Sequence, residues 1–223
     1  MSLFLGPVHH WLFKKVLIVE ERERFLVREF TEKFGNRATP VAEEMLKKYG
    51  EHFDQPLEKL IGNLPIHEFL ADSIERVETR EAAIIKRFIE EFGEEAKSFA
   101  VEVAYRHGRK KGEEAVEEYG VRNPVPEKVY TILRNFFLDG MPCDHVVEIE
   151  QKPHKEFVEI HKDCLHQKYW QNAGVEENLM CEYLSRWVDG FCDAIDGIKH
   201  VKTKSIAKGD SLCEDRWLKT KGE

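Results

Sequence analysis

An α+β fold is predicted for this 223-residue chain by three features of its sequence. Up to about residue 140 the apolar residues recur at helical spacing. Between Cys143 and Cys164 the period falls to two, then returns to helical over "NLMCEYLSRWVDGFCDAI". It falls to two again over "IKHVKTKSIA" and "LCEDRWLKT". This order predicts a helical N-terminal part followed by an antiparallel sheet of two β-hairpins, with one long helix packed across it. The working division is a helical region at 1–90 and an α+β region at 91–223, or one continuous domain, because no repeat, low-complexity tract or Pro/Ser-rich linker separates them.

The elements follow in order. Pro7 suits a first helical position, and Val8, Trp11, Leu12, Val16 and Val19 follow as one buried stripe. "ATPVAEEMLKKYG" reads as a helix capped by Thr39, with Pro40 in its first turn and Gly50 as its stop. "PIHEFLADSIERVETREAAIIKRFIEEFG" is long and amphipathic. The next helix carries Gly108 and Gly112 four residues apart on one face, where small residues let another element approach. "PEKVYTILRNFFLDG" starts at Pro126 and runs to Gly140. In the first hairpin, Val147 opposite Ile160 and Ile149 opposite Val158 would share one core. That register makes Pro153-His154 a two-residue turn. A second hairpin turns at "KGDS", and its Lys-rich first strand reads as a solvated face.

Apolar residues make up 42% of the chain and charged residues 34%, with a formal net charge of −8. Such a balance argues against general affinity for nucleic acid or anionic membrane. The expected partners are a small-molecule ligand and, for assembly, a second copy of the chain. No apolar run nears the ~20 residues that span a bilayer. The opening residues lack the features of a signal peptide, so a cytoplasmic location is expected. Cys143, Cys164, Cys181, Cys192 and Cys213 are odd in number and are expected as thiols or ligands rather than disulfides.

The hairpin register places Cys143 opposite Cys164, with His145 on the same face, His166 just beyond and His161 on the other face. Two thiols and one or two imidazoles suit a zinc ion, held by Cys143, His145, Cys164 and His166, or a thiolate activated by imidazole. Buried free thiols beside ordinary histidines are the plainer reading. Cys181 and Cys192 lie ~16 Å apart along one helix, too far to share an ion. His9 and His10 stand in the first helical turn, where the helix dipole favours neutral imidazole.

"YRHGRKKGEEAVEEYG", the hairpin, "CEYLSRWVDGFCDAIDG" and "VKTKSIAKGDSLCEDRW" resemble successive parts of the L-2-amino-thiazoline-4-carboxylate hydrolase family and of the related vinyl-reductase-like ligand-binding domain. The resemblance covers roughly residues 90–220. It implies a hydrolase that adds water to the C=N carbon of a small cyclic carboxylic acid, or a non-catalytic sensor or carrier. In the sensors, zinc is held by two positions that match Cys181 and Cys213, but here the other two are Ser205 and Lys202. For the hydrolase, the residue types needed are a nucleophile (Cys181 or Cys164), a proton-transfer group (His145 or His10) and a site for the substrate. Arg186, Arg106 and Trp11 are the candidates for that site.

Overall fold

Helix α1 (Pro7–Phe34) begins at the proline, whose missing N–H is no loss in a first turn, and stops at Gly35 with φ 81°. The computed structural model describes residues 5–144, 147–152 and 154–220. Leu12, Val16 and Val19 are buried as a stripe, but Val8 is 49% exposed. Helix α2 (Ala38–Tyr49) starts before Thr39, whose hydroxyl lies 3.4 Å from Thr31 Oγ1 and caps nothing. A single turn, α3 (Leu57–Leu60), leads to the long helices α4 (Ile66–Phe92) and α5 (Glu94–Tyr119). Helix α6 (Pro126–Leu133) ends well before Gly140. Phe136 and Leu138 are both buried and join different apolar clusters, which one continuous helical face could not achieve.

The helical layer has a charged interior. Arg22 grips Glu81 through two bonds of 2.6 Å, and Tyr183 donates to the same carboxylate at 3.0 Å. Arg80, fully buried, binds Glu20 and Glu23 at 2.9 Å each. Such pairs persist because each buried charge has its partner and its hydrogen bonds.

Helix α7 (Gln167–Ala173), which the periodicity did not signal, ends at Gly174, and α8 (Glu177–Asp193) follows. The glycine pair of α5 meets α8. A Cβ on Gly108 would lie 1.9 Å from the Trp187 carbonyl oxygen, and one on Gly112 would lie 2.3 Å from that of Phe191. Gly190 on α8 answers, with its position 2.1 Å from the Tyr105 carbonyl oxygen. Only hydrogen fits at these three points.

The sheet contains β1 (Val147–Lys152), β2 (Glu156–His161), β3 (Ile198–Lys204) and β4 (Cys213–Lys219) in the order β1-β2-β4-β3, antiparallel throughout. Both hairpins form, and α8 packs against β3. The register of the first differs from the sequence expectation by one residue: Val147 faces His161, and Ile149 faces Glu159. Lys152 pairs with Glu156, so the loop holds three residues and His154 in it has φ 63°; Pro153 lies outside the described residues. One extra loop residue turns every β2 side chain to the opposite face. Val147 and Ile149 stay exposed at the sheet edge. Among the described residues the pairs run from Lys152–Glu156 to Val147–His161 and include neither Cys143 nor Cys164.

One apolar cluster joins Leu26, Phe30, Ile84 and Phe88 to Trp187, Phe191 and Trp217, so burial is continuous across residue 90. Among the described residues no helix is long and apolar enough to cross a membrane.

Candidate active site

Three strands present the same motif on their inner face: a large apolar residue, then polar residues at every second position. These are Phe157, Glu159 and His161 on β2, Trp217, Asp215 and Cys213 on β4, and Ile198, His200 and Lys202 on β3. The pairing sets Glu159, Asp215 and Lys202 side by side across the three strands. A cavity of about 90 Å³ lies over this row. Its opposite wall comes from Phe137 and Asp139 after α6, Cys164, Leu165 and His166 after β2, Trp170 of α7, and Cys181, Leu184 and Val188 of α8. Apolar walls around convergent polar groups are the usual character of a small-molecule site.

A chain of charged hydrogen bonds crosses the sheet. Lys202 Nζ donates to Asp215 Oδ2 at 2.5 Å. His200 lies between Asp215 Oδ1 at 2.9 Å and Asp189 Oδ1 at 2.7 Å, and Arg186 holds the other oxygen of Asp189 at 2.7 Å. Burial disfavours the Lys202 ammonium, but Asp215 outweighs burial and raises its pKa. Burial likewise opposes charge on His200, while hydrogen bonds to Asp189 and Asp215 lift it above the ordinary histidine value. Asp215 is depressed, because Lys202 and His200 overcome the cost of its burial. Lys202 therefore stands ionised in the cavity.

The second polar group lies around Asp139. His161 Nε2 is 3.3 Å from Glu159 Oε1 and 3.6 Å from Asp139 Oδ2. Glu159 Oε1 also accepts the Tyr130 hydroxyl at 2.5 Å. His166 stacks on Trp170, and its Nδ1 lies 2.6 Å from Glu78 Oε2 of α4. Its Nε2 lies 3.6 Å from Asp139 Oδ1. Burial resists ionisation of Asp139, but His166 and His161 outweigh it and hold its pKa low.

The residues singled out in the sequence are distributed unevenly. Cys164, Cys181 and His166 line the cavity. Cys181 Sγ is 3.1 Å from Ser205 Oγ. Cys213 Sγ accepts the Ile206 N–H at 3.3 Å, and burial pushes its thiol pKa up. Cys143 is exposed in a turn, and His145 lies outside the described residues. Of the four expected zinc ligands, Cys164 and His166 line the cavity and Cys143 does not. His10 is exposed, 3.5 Å from Glu58, and Trp11 donates to Asn135 at 2.8 Å; neither lines the cavity. Arg106 pairs with Glu29 at 2.7 Å outside it, and Arg186 reaches it only through Asp189. The zinc set implied by the vinyl-reductase-like domain does not fit, because the Lys202 ammonium shares the cavity with Cys181 and Cys213, and Ser205 meets Cys181 with a hydroxyl.

Asp139, Glu159, His161, His200, Lys202 and Asp215 were not expected in the site. A signal for five of them was present in the alternation: Phe157, Trp217 and Ile198 mark the inner face, and the polar residues lie two and four positions away. The Lys-rich strand is thus not a solvated face throughout, since Lys202 points inward.

No curated protein matches the chain. One similar solved structure, from work named "Probing the function of heme distortion in the H-NOX family", has a TM-score of 0.42 and 14% identity over 93% of this chain and 95% of that one, which is too slight to carry an argument. The family model described as L-2-amino-thiazoline-4-carboxylic acid hydrolase matches residues 72–217, from within α4 to Trp217, and so takes in the whole cavity. The chain belongs to the L-2-amino-thiazoline-4-carboxylic acid hydrolase family.

Proposed function

We propose that the chain hydrolyses a small cyclic carboxylic acid containing a C=N bond, a 2-amino-thiazoline-4-carboxylate or a near relative, in the cytoplasm. The observation that carries this reading is the pairing, in one cavity, of an ionised lysine with a carboxylate cluster: Lys202 on one side, Asp139 and Glu159 on the other. Lys202 takes the substrate carboxylate. Apolar walls such as Phe137, Trp170 and Leu184 enclose the ring. The oxygen of a water molecule bonds to the C=N carbon, and the π pair moves to the ring nitrogen. Glu159 accepts one proton from the water and passes it to that ring nitrogen; as the tetrahedral adduct collapses to a carbonyl, it takes the hydroxyl proton and gives it to the leaving heteroatom, and the ring opens. His200 touches only carboxylates and acts as a positioning residue for Asp215 and Lys202.

A second reading keeps Cys181 as the nucleophile, because it lines the cavity beside Lys202 with its sulfur against Ser205. Its thiolate would bond to the same carbon, and water would release the product. Turnover of L-2-amino-thiazoline-4-carboxylate by the purified chain tests both. Lys202→Met should lower kcat/KM by ~10–100-fold, the worth of one charge-assisted contact. Glu159→Gln should bind substrate but not turn it over. Cys181→Ser should retain activity if water attacks directly, and lose it if the thiol does. Binding without turnover in the wild-type protein would instead make the chain a ligand carrier, and absence of both would refute the reading.

A further inference from the structure

We infer that Asp139, Glu159 and His161 form a binding site for one first-row divalent cation of the zinc or manganese type, facing the cavity. One oxygen from each carboxylate and one imidazole nitrogen converge so that all three atoms lie within 4.8 Å of one another. The two separations from the imidazole are those of ligands around an ion. Donors ~2.0–2.2 Å from a tetrahedral centre are about 3.3–3.6 Å apart, and closer around an octahedral one. The separations from His161 Nε2 are 3.3 Å to Glu159 and 3.6 Å to Asp139. A single Nε2–H shared between two carboxylates at 3.3 and 3.6 Å makes no short bond to either, whereas one cation between the three atoms would engage all of them.

The surroundings have the form of an outer ligand shell, in which hydrogen bonds fix the direction of each ligand. Tyr130 donates to Glu159 Oε1 at 2.5 Å. His166 stands 3.6 Å from the far oxygen of Asp139 and is itself fixed by Glu78. Two elements hold the three ligands: β2 supplies Glu159 and His161 two residues apart on one face, and the turn after α6 supplies Asp139. The set contains no thiolate. Oxygen and imidazole donors suit zinc and manganese better than copper(I). The open coordination positions face the cavity, where water can bind. An ion there would make that water a stronger nucleophile at neutral pH for the hydrolysis proposed above, and the second oxygen of Glu159 stays free to accept a proton.

The test reads binding alone, with no substrate present, so failure of turnover and failure of metal uptake are separate results. The full-length chain is stripped with chelator, dialysed, and titrated calorimetrically with zinc chloride and with manganese chloride. One equivalent should bind. His161→Ala and Asp139→Asn should each abolish that uptake, with circular dichroism showing that the variants fold; the near-isosteric Asp139→Asn decides if His161→Ala does not. Tyr130→Phe should weaken binding by ~10-fold or more. The triple variant Cys164→Ser, Cys181→Ser, Cys213→Ser should bind as wild type, and X-ray absorption of the zinc form should show nitrogen and oxygen ligands without sulfur. No stoichiometric uptake by the wild-type chain overturns the inference. So does uptake that survives Asp139→Asn, or uptake that only the thiol variant loses.

Discussion

His200 shows how single side chains set the charge of the cavity floor. Its side chain is 1% exposed, and each ring nitrogen meets a carboxylate, Asp189 on α8 and Asp215 on β4. Those carboxylates raise its pKa against the effect of burial. A raised histidine contributes stability that is complete below the unfolded value, ~6.5, and is lost as pH rises through the folded value. His200→Asn should therefore destabilise the protein most near pH 6, by ~3–5 kcal/mol for a broken buried ion pair, and progressively less at higher pH. Urea melts of both proteins across that range measure it; an equal loss at every pH would show that the imidazole is held neutral. Arg186 illustrates what spacing can and cannot reveal. Its sequence position suggested a substrate contact, but it lies three hydrogen bonds back from Asp215, behind Asp189 and His200. Residue type and location named a residue of α8, while its contacts depend on which strand α8 faces.

At the scale of the element, the α5–α8 crossing was legible in part. Gly108 and Gly112 announce a close approach by their spacing alone, and the structure supplies the partner. Gly108→Ala should cost at least the ~1–3 kcal/mol of an overpacked core, because the obstacle is a backbone carbonyl 1.9 Å away and not a side chain that can turn aside. A thermal melt measures the loss; an unchanged midpoint would mean that the helices separate without penalty. The first hairpin was legible as a hairpin but not in its register. Val147, Ile149, Val158 and Ile160 alternate in a way that suggests a shared apolar face, yet β1 is an edge strand with Val147 and Ile149 exposed. Its apolar residues have no core to specify the register, so the three-residue loop decides it. That one-residue difference brings His161 and Glu159 to the cavity. The early end of α6 was hidden for a related reason: Phe136, Phe137 and Leu138 are consecutive apolar residues that a helical reading can absorb.

For the whole molecule, the helical layer and the C-terminal region share one core and several hydrogen bonds. Glu78 on α4 fixes His166 at the cavity, and Glu81 on the same helix accepts from Tyr183 of α8. Removing residues 1–90 would strip Arg22, Phe30, Glu81 and Phe88 from a core shared with Trp187. We expect the isolated 91–223 fragment to lack a cooperative thermal transition; a sharp transition with native near-ultraviolet dichroism would instead establish two independent folding units. Charged pairing inside the helical layer, Arg80 with Glu20 and Glu23 above all, gave no signal in the sequence, because the partners lie some sixty residues apart on different helices. The glycine contacts have one more consequence, for motion. With backbone against backbone at Gly108, Gly112 and Gly190, α8 can neither roll about its axis nor slide along α5 without a collision. It is a fixed rail, and Cys181, Leu184 and Val188 keep their places on it. Adjustment to an incoming molecule then falls to the facing wall, the turns at 134–144 and 162–166, whose amides should exchange with deuterium far sooner than those of α8.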